Sequence, residues 1–231
     1  MKIRAAASSA VALTVLGLAG AVAPVEHAEA SHGCWNRPSV TVVRSTEARV
    51  FQKRVRLSGR ETDGAPGYRM VDYGCHYRKR ATYRLAQQGE FGIAGVERAP
   101  LALSGKFAAY VQRFASAAGG DNVEVTVRDL VTGRVARRFS GSESNFDSSL
   151  RVLDLVVKRN ASTAWTSEER LQGPDGSVDR VEYQVHAVDT SGRRRIVDRG
   201  PGIDPRSLEL ASDRRSFAYV EDGERRSVPL D

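Results

Sequence analysis

One pattern, recurring about once per strand quartet, constrains this chain more than any other feature. Leu101 to Val111 (LALSGKFAAYV) reads as an apolar strand, a polar turn, and a second strand ending in an aromatic residue. Leu208 to Val220 repeats that order, and Leu153 to Trp165 is a more diverged copy. The aromatic positions Tyr110, Trp165 and Tyr219 fall 55 and 54 residues apart. A second hairpin follows the copies that begin at Leu101 and Leu153. Val123 to Asp129 passes through Leu130-Val131-Thr132-Gly133 into Arg134 to Phe139, and Val181 to Asp189 passes through Thr190-Ser191-Gly192 into Arg193 to Asp198. Valines alternate with polar residues in both, the period-two signature of a strand with one dry and one wet face. The Asp…Gly turns fit their role: Asp bonds its own turn backbone and Gly supplies positive φ.

A front copy fits by order and length. Val40 to Arg44 and Ala48 to Val55 form its first hairpin; Tyr68 to Tyr77, a turn at Arg78-Lys79-Arg80, and Ala81 to Leu85 form its second. Leu150 to Lys158 reads as a strand because of its valines. The last copy stops after Arg206 to Leu210, Ser216 to Val220 and Arg225 to Leu230. The units run roughly 39–90, 98–141, 150–200 and 203–231, with fifteen strands in all. One such unit cannot bury its dry face alone, and stacking against the next does so. The expected fold is therefore all-β, a propeller-like array of about four antiparallel four-stranded units with the last incomplete. It closes into a small ring or stays an open arc; a pair of β-sandwiches is the alternative.

The order of these strands, clearest at Leu101–Val111 with Asp129–Arg134 and at Leu208–Val220, resembles secreted bacterial β-propeller-like repeat proteins, broadly of the WD-repeat and Tol-type kind. The resemblance implies a structural repeat and carries no catalytic residue. The chain departs from it in lacking a Gly-His…Trp-Asp signature and in having few units.

The first thirty residues read differently. Met1-Lys2-Ile3-Arg4 is positive, Ala5 to Ala23 is uncharged, and Ala28-Glu29-Ala30 precedes Ser31. This is the pattern of a cleaved signal peptide spanning 1–30, and it predicts a secreted or cell-surface protein. Its Ala, Ser and Gly make it a weak membrane anchor, and no later segment is long and apolar enough to span. Ser31-His32-Gly33 lacks the leucine-type residue that would mark Cys34 for lipid attachment. Removing the leader takes away two charges of each sign, so the net charge stays +7. Export makes Cys34 and Cys75 a disulfide pair. Closing that loop stabilises by roughly 4 kcal/mol in the chain-entropy model. His32 and His76 flank the cysteines, but the His-x-Cys and Cys-His spacings are poor for zinc, since adjacent strand residues face opposite ways. No cofactor or metal is expected.

Candidate chemistry is sparse. Ser104 and Ser140 are turn serines outside any G-x-S-x-G elbow. Gly89 to Gly95 lacks the G-K-[ST] of a phosphate loop. Glu168-Glu169, Asp72, Asp147, Asp204 and Asp222 are scattered carboxylates, and Asn160-Ala161-Ser162 is a sequon at a turn. His186 shares a strand face with Glu182 and Gln184 and is expected in solvent. The basic residues are more regular. Arg78, Lys79 and Arg80; Arg134, Arg137 and Arg138; Arg193, Arg194 and Arg195; and Arg225 and Arg226 all fall at the turn into a fourth strand or its counterpart. Aligned by stacking, they make a cationic rim for an anionic surface, or else guard exposed sheet edges. Extensions between second and third strands, Gly59–Gly67, Ala115–Asn122 and Glu168–Asp179, project from one end and are the expected ligand loops. Ser140–Ser149 reads as a linker. The expected function is an exported, non-catalytic binding or scaffold protein. Its partner class is a protein or an anionic cell-surface polymer, with nucleic acid disfavoured because no aromatics interleave with the basic runs. The alternatives are a secreted hydrolase with carboxylates in a central channel, and a propeller fragment that assembles with a partner.

Overall fold

The computed structural model describes residues 34–35, 39–56, 67–88, 99–115, 121–140, 148–172 and 177–231. Among these, every regular element is a strand. The first sheet contains β1 (Val40–Arg44), β2 (Ala48–Arg56), β3 (Tyr68–His76) and β4 (Thr82–Gln88). The second holds β5 (Leu101–Ser104), β6 (Phe107–Ala115), β7 (Asp121–Asp129) and β8 (Val135–Ser140). The third holds β9 (Ser148–Val157), β10 (Thr163–Gln172), β11 (Val178–Val188) and β12 (Arg194–Gly200). The last has only β13 (Ile203–Leu210), β14 (Ser216–Glu221) and β15 (Glu224–Pro229). All pairings are antiparallel between chain neighbours, so each unit is one small sheet. Paired sandwiches would have divided each unit between two facing sheets. The propeller-like array, short of one strand in its last unit, is the architecture.

Sheets stack in chain order, and a separate apolar core fills each of the three seams. Val50 and Leu85 of the first sheet meet Ala108, Tyr110 and Leu130 of the second. Val125 and Val127 of the second meet Leu155 and Trp165 of the third. Ala164 and Val185 of the third meet Ile203, Phe217 and Tyr219 of the last. Strands β1, β5, β9 and β13 pack on one another in series, which brings the first strand of every unit toward a common axis. Asp154 ties two of them: its carboxylate accepts the Leu155 and Leu208 amides at 2.8 and 3.1 Å.

Stacking on both faces changes what alternation means. The polar face of β7 is not wet: Thr126 is fully buried, and its hydroxyl donates to Glu124 at 2.8 Å while neighbouring Gln112 donates to the Leu85 carbonyl of the first sheet at 3.4 Å. His186 likewise departs from expectation. It is fully buried, paired in register with Trp165 and stacked on its ring at 4.9 Å. Phe139 of the second sheet covers that ring's stack at 5.9 Å. A polar stripe on a middle sheet faces the neighbouring sheet, and only an end sheet leaves a face for water.

The Asp…Gly turns form as their chemistry dictates. Asp129 accepts from the Val131 amide at 2.8 Å, and Gly133 has φ 73°. Asp189 accepts from the Ser191 amide at 2.9 Å. Burial would raise the Asp129 carboxyl, but hydrogen bonds from Lys106 and from the Val131 and Thr132 amides outweigh it and hold the group below its usual range. The expected ligand extensions are shorter than read from sequence, because Ala115, Asp121–Asn122 and Glu168–Gln172 belong to strands. Apart from Gly67 and Ser177, what remains of them, 59–66, 116–120 and 173–176, lies outside the described residues, as do residues 1–30, His32 and most of the Ser140–Ser149 linker.

Candidate functional site: an axial cavity at the turn end

Because the units repeat, their equivalent turns share one end of the array. The β1–β2, β5–β6, β9–β10 and β13–β14 turns converge there on a cavity of about 720 Å³. Ser45 and Thr46 come from the first turn, Ser104 and Gly105 from the second, Lys158, Arg159 and Asn160 from the third, and Ser212 and Arg214 from the last. Leu103, Leu210 and Ala211 supply its apolar wall.

Hydrogen bonds fix these turns to one another. The Ser45 hydroxyl donates to the Gly105 carbonyl at 3.1 Å, joining the first two sheets. Lys158 donates to the Arg215 carbonyl at 3.3 Å and to the Leu230 carbonyl, joining the last two. Arg159 reaches past the second sheet to Glu47 of the first, at 3.3 Å. That pair passes over Gly105, where an added Cβ would lie 3.2 Å from the Arg159 side chain and 3.5 Å from Glu47. Gly105 also has φ 56°, so a side chain is disfavoured there twice over. Arg214 and Ala161 occupy the same left-handed region, at 54° and 69°, in the corresponding turns. Non-glycine residues in that region are uncommon and are retained only where surrounding contacts hold them.

Every charged residue lining the cavity is a cation. The nearby Asp213 carboxyl is absorbed by its own turn, accepting the Arg215 and Ser216 amides at 2.8 and 3.1 Å, which draws it below its usual range. Cations, hydroxyls and an amide at a concave apolar wall form the donor set for an anionic group. No lining residue offers a general base.

A smaller cavity, about 210 Å³, opens where β5, β6, β9 and β13 approach, lined by Arg113, Arg151, Asp154 and Arg206. Burial, and then proximity to Asp204, raises the Asp154 carboxyl, which also accepts two backbone amides. Asp154 is the one carboxylate lining the smaller cavity and none lines the larger, so neither presents the pair that glycoside hydrolysis uses. Ser167 and His186 are 3.0 Å apart, like a nucleophile and base, but both are fully buried in a seam.

The candidate basic residues separate into groups. Arg78, Lys79 and Arg80 are exposed at the β3–β4 turn. Arg137 donates to the Thr190 carbonyl, Arg194 to the Ser140 carbonyl at 2.8 Å, and Arg195 to the Pro229 carbonyl at 2.8 Å, each across a seam. Arg138 pairs with Glu124 at 3.1 Å, Arg225 with Glu209 at 2.7 Å, and Arg226 with Glu221 at 3.3 Å. Arg193 stands 3.6 Å from Asp189. Cys34 and Cys75 form the expected disulfide, with Cα atoms 5.5 Å apart. Both sulfurs are thus engaged, so the Cys/His zinc set has no thiolate to offer. Sequence reasoning missed Lys158, Arg159 and Arg214; aligning the first turn of every unit would have found them, since equivalent turns share an end.

No family model matches the chain, and no curated protein matches it either. Among solved structures, MPT-4, a mannose phosphorylase from Leishmania mexicana in complex with phosphate ion, superposes with a TM-score of 0.38 at 8% identity. The match covers 81% of this chain and 65% of that one. An acylaminoacyl peptidase of Pyrococcus horikoshii superposes with a TM-score of 0.44 at 10% identity, covering 84% of this chain and 33% of its own. The chain thus spans less than two thirds of either protein's length.

Proposed function

We propose that this chain is an exported, non-catalytic binding module whose axial cavity receives a small anionic ligand. The observation that carries this is the convergence of four equivalent turns on one concavity whose charged lining is wholly cationic. Export is supported by the leader pattern of residues 1–30 and by the Cys34–Cys75 bridge, a bond of oxidising compartments. No helix among the described residues is long and apolar enough to cross a membrane. Binding is favoured over hydrolysis because the lining supplies donors for an anion and no paired carboxylates. Titration calorimetry of the full chain against inorganic phosphate, citrate and a hexose phosphate tests it. At least one should bind, and Arg159→Ala with Arg214→Ala should weaken it tenfold or more at unchanged melting temperature. Full affinity in that double variant would end the reading.

A further inference from the structure

We infer that Trp35 and Tyr77 form a rigid platform for an anionic polysaccharide, with the Arg78-Lys79-Arg80 turn as its charged margin. This surface is separate from the axial cavity and does not depend on it.

Trp35 is 67% exposed, although its ring is the largest apolar surface a side chain can hide. It lies parallel to the Tyr77 ring within 3°, with centroids 6.1 Å apart. Parallel planes at that separation make an offset stack, so the two rings form one stepped aromatic strip. Both are fixed by the same bond: Cys34 precedes Trp35, Cys75 lies two residues before Tyr77, and the bridge between them is buried. Beneath the strip the Arg49 guanidinium lies 4.5 Å from the Trp35 ring and 4.5 Å from the Phe51 ring. Thr41 and Ser39 hydroxyls accept from it at 3.0 and 3.1 Å. Arg49 is 3% exposed, and burial lowers its pKa. A buried cation held by two hydroxyls and two rings braces the inner face of Trp35 and leaves the outer face to solvent.

A rigid, exposed aromatic loses little freedom on binding, which is why such residues anchor recognition surfaces. The exposed Trp35 ring, extended by the parallel Tyr77 ring, offers a surface on which the C–H face of a sugar ring in a polymer can stack. Nucleobases of a single strand also stack on such rings, and the leader pattern of residues 1–30 favours polysaccharide as the polymer met outside a cell. Charge selects among polysaccharides. Tyr77 leads directly into Arg78, Lys79 and Arg80, all exposed, with the Arg80 amide closing the turn on the His76 carbonyl at 2.9 Å. Carboxylate or sulfate groups along a glycan would meet these cations at the platform's margin.

Affinity electrophoresis of the full chain through gels containing polygalacturonate, heparin or neutral hydroxyethylcellulose tests the assignment. An anionic polysaccharide should retard the protein, the neutral one at least tenfold less. Trp35→Ala should lose tenfold or more, and the triple variant Arg78→Ala, Lys79→Ala, Arg80→Ala should lose both affinity and its salt dependence. In the unmodified protein, saturating polysaccharide should shift tryptophan emission. That signal belongs to Trp35, because the second tryptophan, Trp165, is buried in a seam. Absence of retardation, unchanged binding in Trp35→Ala, no emission shift, or stronger binding of single-stranded DNA would each overturn the proposal.

Discussion

His186 and Trp165 lie opposite each other on adjacent strands, their rings stacked at 4.9 Å and tilted by only 15°. The imidazole accepts its place in the seam by staying neutral. Burial, then the nearby Arg194 and Arg199, push its pKa down to about 3. Ser167 at 3.0 Å is its hydrogen-bond partner.

Stability should therefore fall in mildly acidic solution. Unfolded, His186 takes a proton near pH 6.5, whereas folded it resists until about pH 3. The unfolded state binds more protons between those values, so stability is complete above the upper one and drains as pH falls toward the lower. The slope approaches about 1.4 kcal/mol per pH unit at most. Urea denaturation at pH 7 and pH 5 should show this loss. His186→Gln, which keeps a partner for Ser167 but does not titrate, should flatten it.

Gly133 is a second sensitive point. Its φ is 73°, and a Cβ there would fall within the Tyr83 ring of the preceding sheet. Gly133→Ala should destabilise by at least about 1 kcal/mol from the backbone alone, with more from the clash. Adding Tyr83→Ala should recover the clash and not the backbone cost. The shift should appear as a lower denaturant midpoint at unchanged m.

Two neighbouring arginines should behave differently. Arg194 donates across a seam to the Ser140 carbonyl and stands over the Trp165 ring at 6.0 Å. Arg193 projects into solvent beside Asp189. Arg194→Ala should cost about 1–2 kcal/mol of stability, while Arg193→Ala should leave the thermal midpoint unchanged. Equal effects would mean the seam bond contributes nothing.

Glu47→Gln tests the mouth of the axial cavity. Its ion pair with Arg159 is exposed, so stability should move by less than about 0.5 kcal/mol. Under the proposed function, the released guanidinium should bind phosphate or citrate several-fold more tightly by calorimetry. Weaker binding would show that Glu47 orients Arg159 rather than competing for it.

The strands and their turns were legible in the sequence because both obey local rules. Period-two alternation marks a strand whatever covers it, and Asp129 and Gly133 are bound to their own turn. What alternation does not encode is the neighbour. Thr126 and His186 sit at polar positions of their strands, yet another sheet lies over them. The axial cavity was hidden for a related reason. Ser45, Arg159 and Arg214 are unremarkable turn residues one at a time, and become a site only when four distant turns meet. The aromatic platform depends on a bridge that draws Trp35 beside a strand far along the chain.

Repeat arrays ordinarily tolerate gain or loss of a unit, because each one touches only the next. The ion pair between Glu47 and Arg159 joins two sheets that are not adjacent, around a hollow to which every unit contributes one turn. Duplicating or excising a unit would pull that hollow apart while leaving the remaining seams intact. The number of units is thereby held fixed by the turn end of the molecule rather than by the packing that stabilises it.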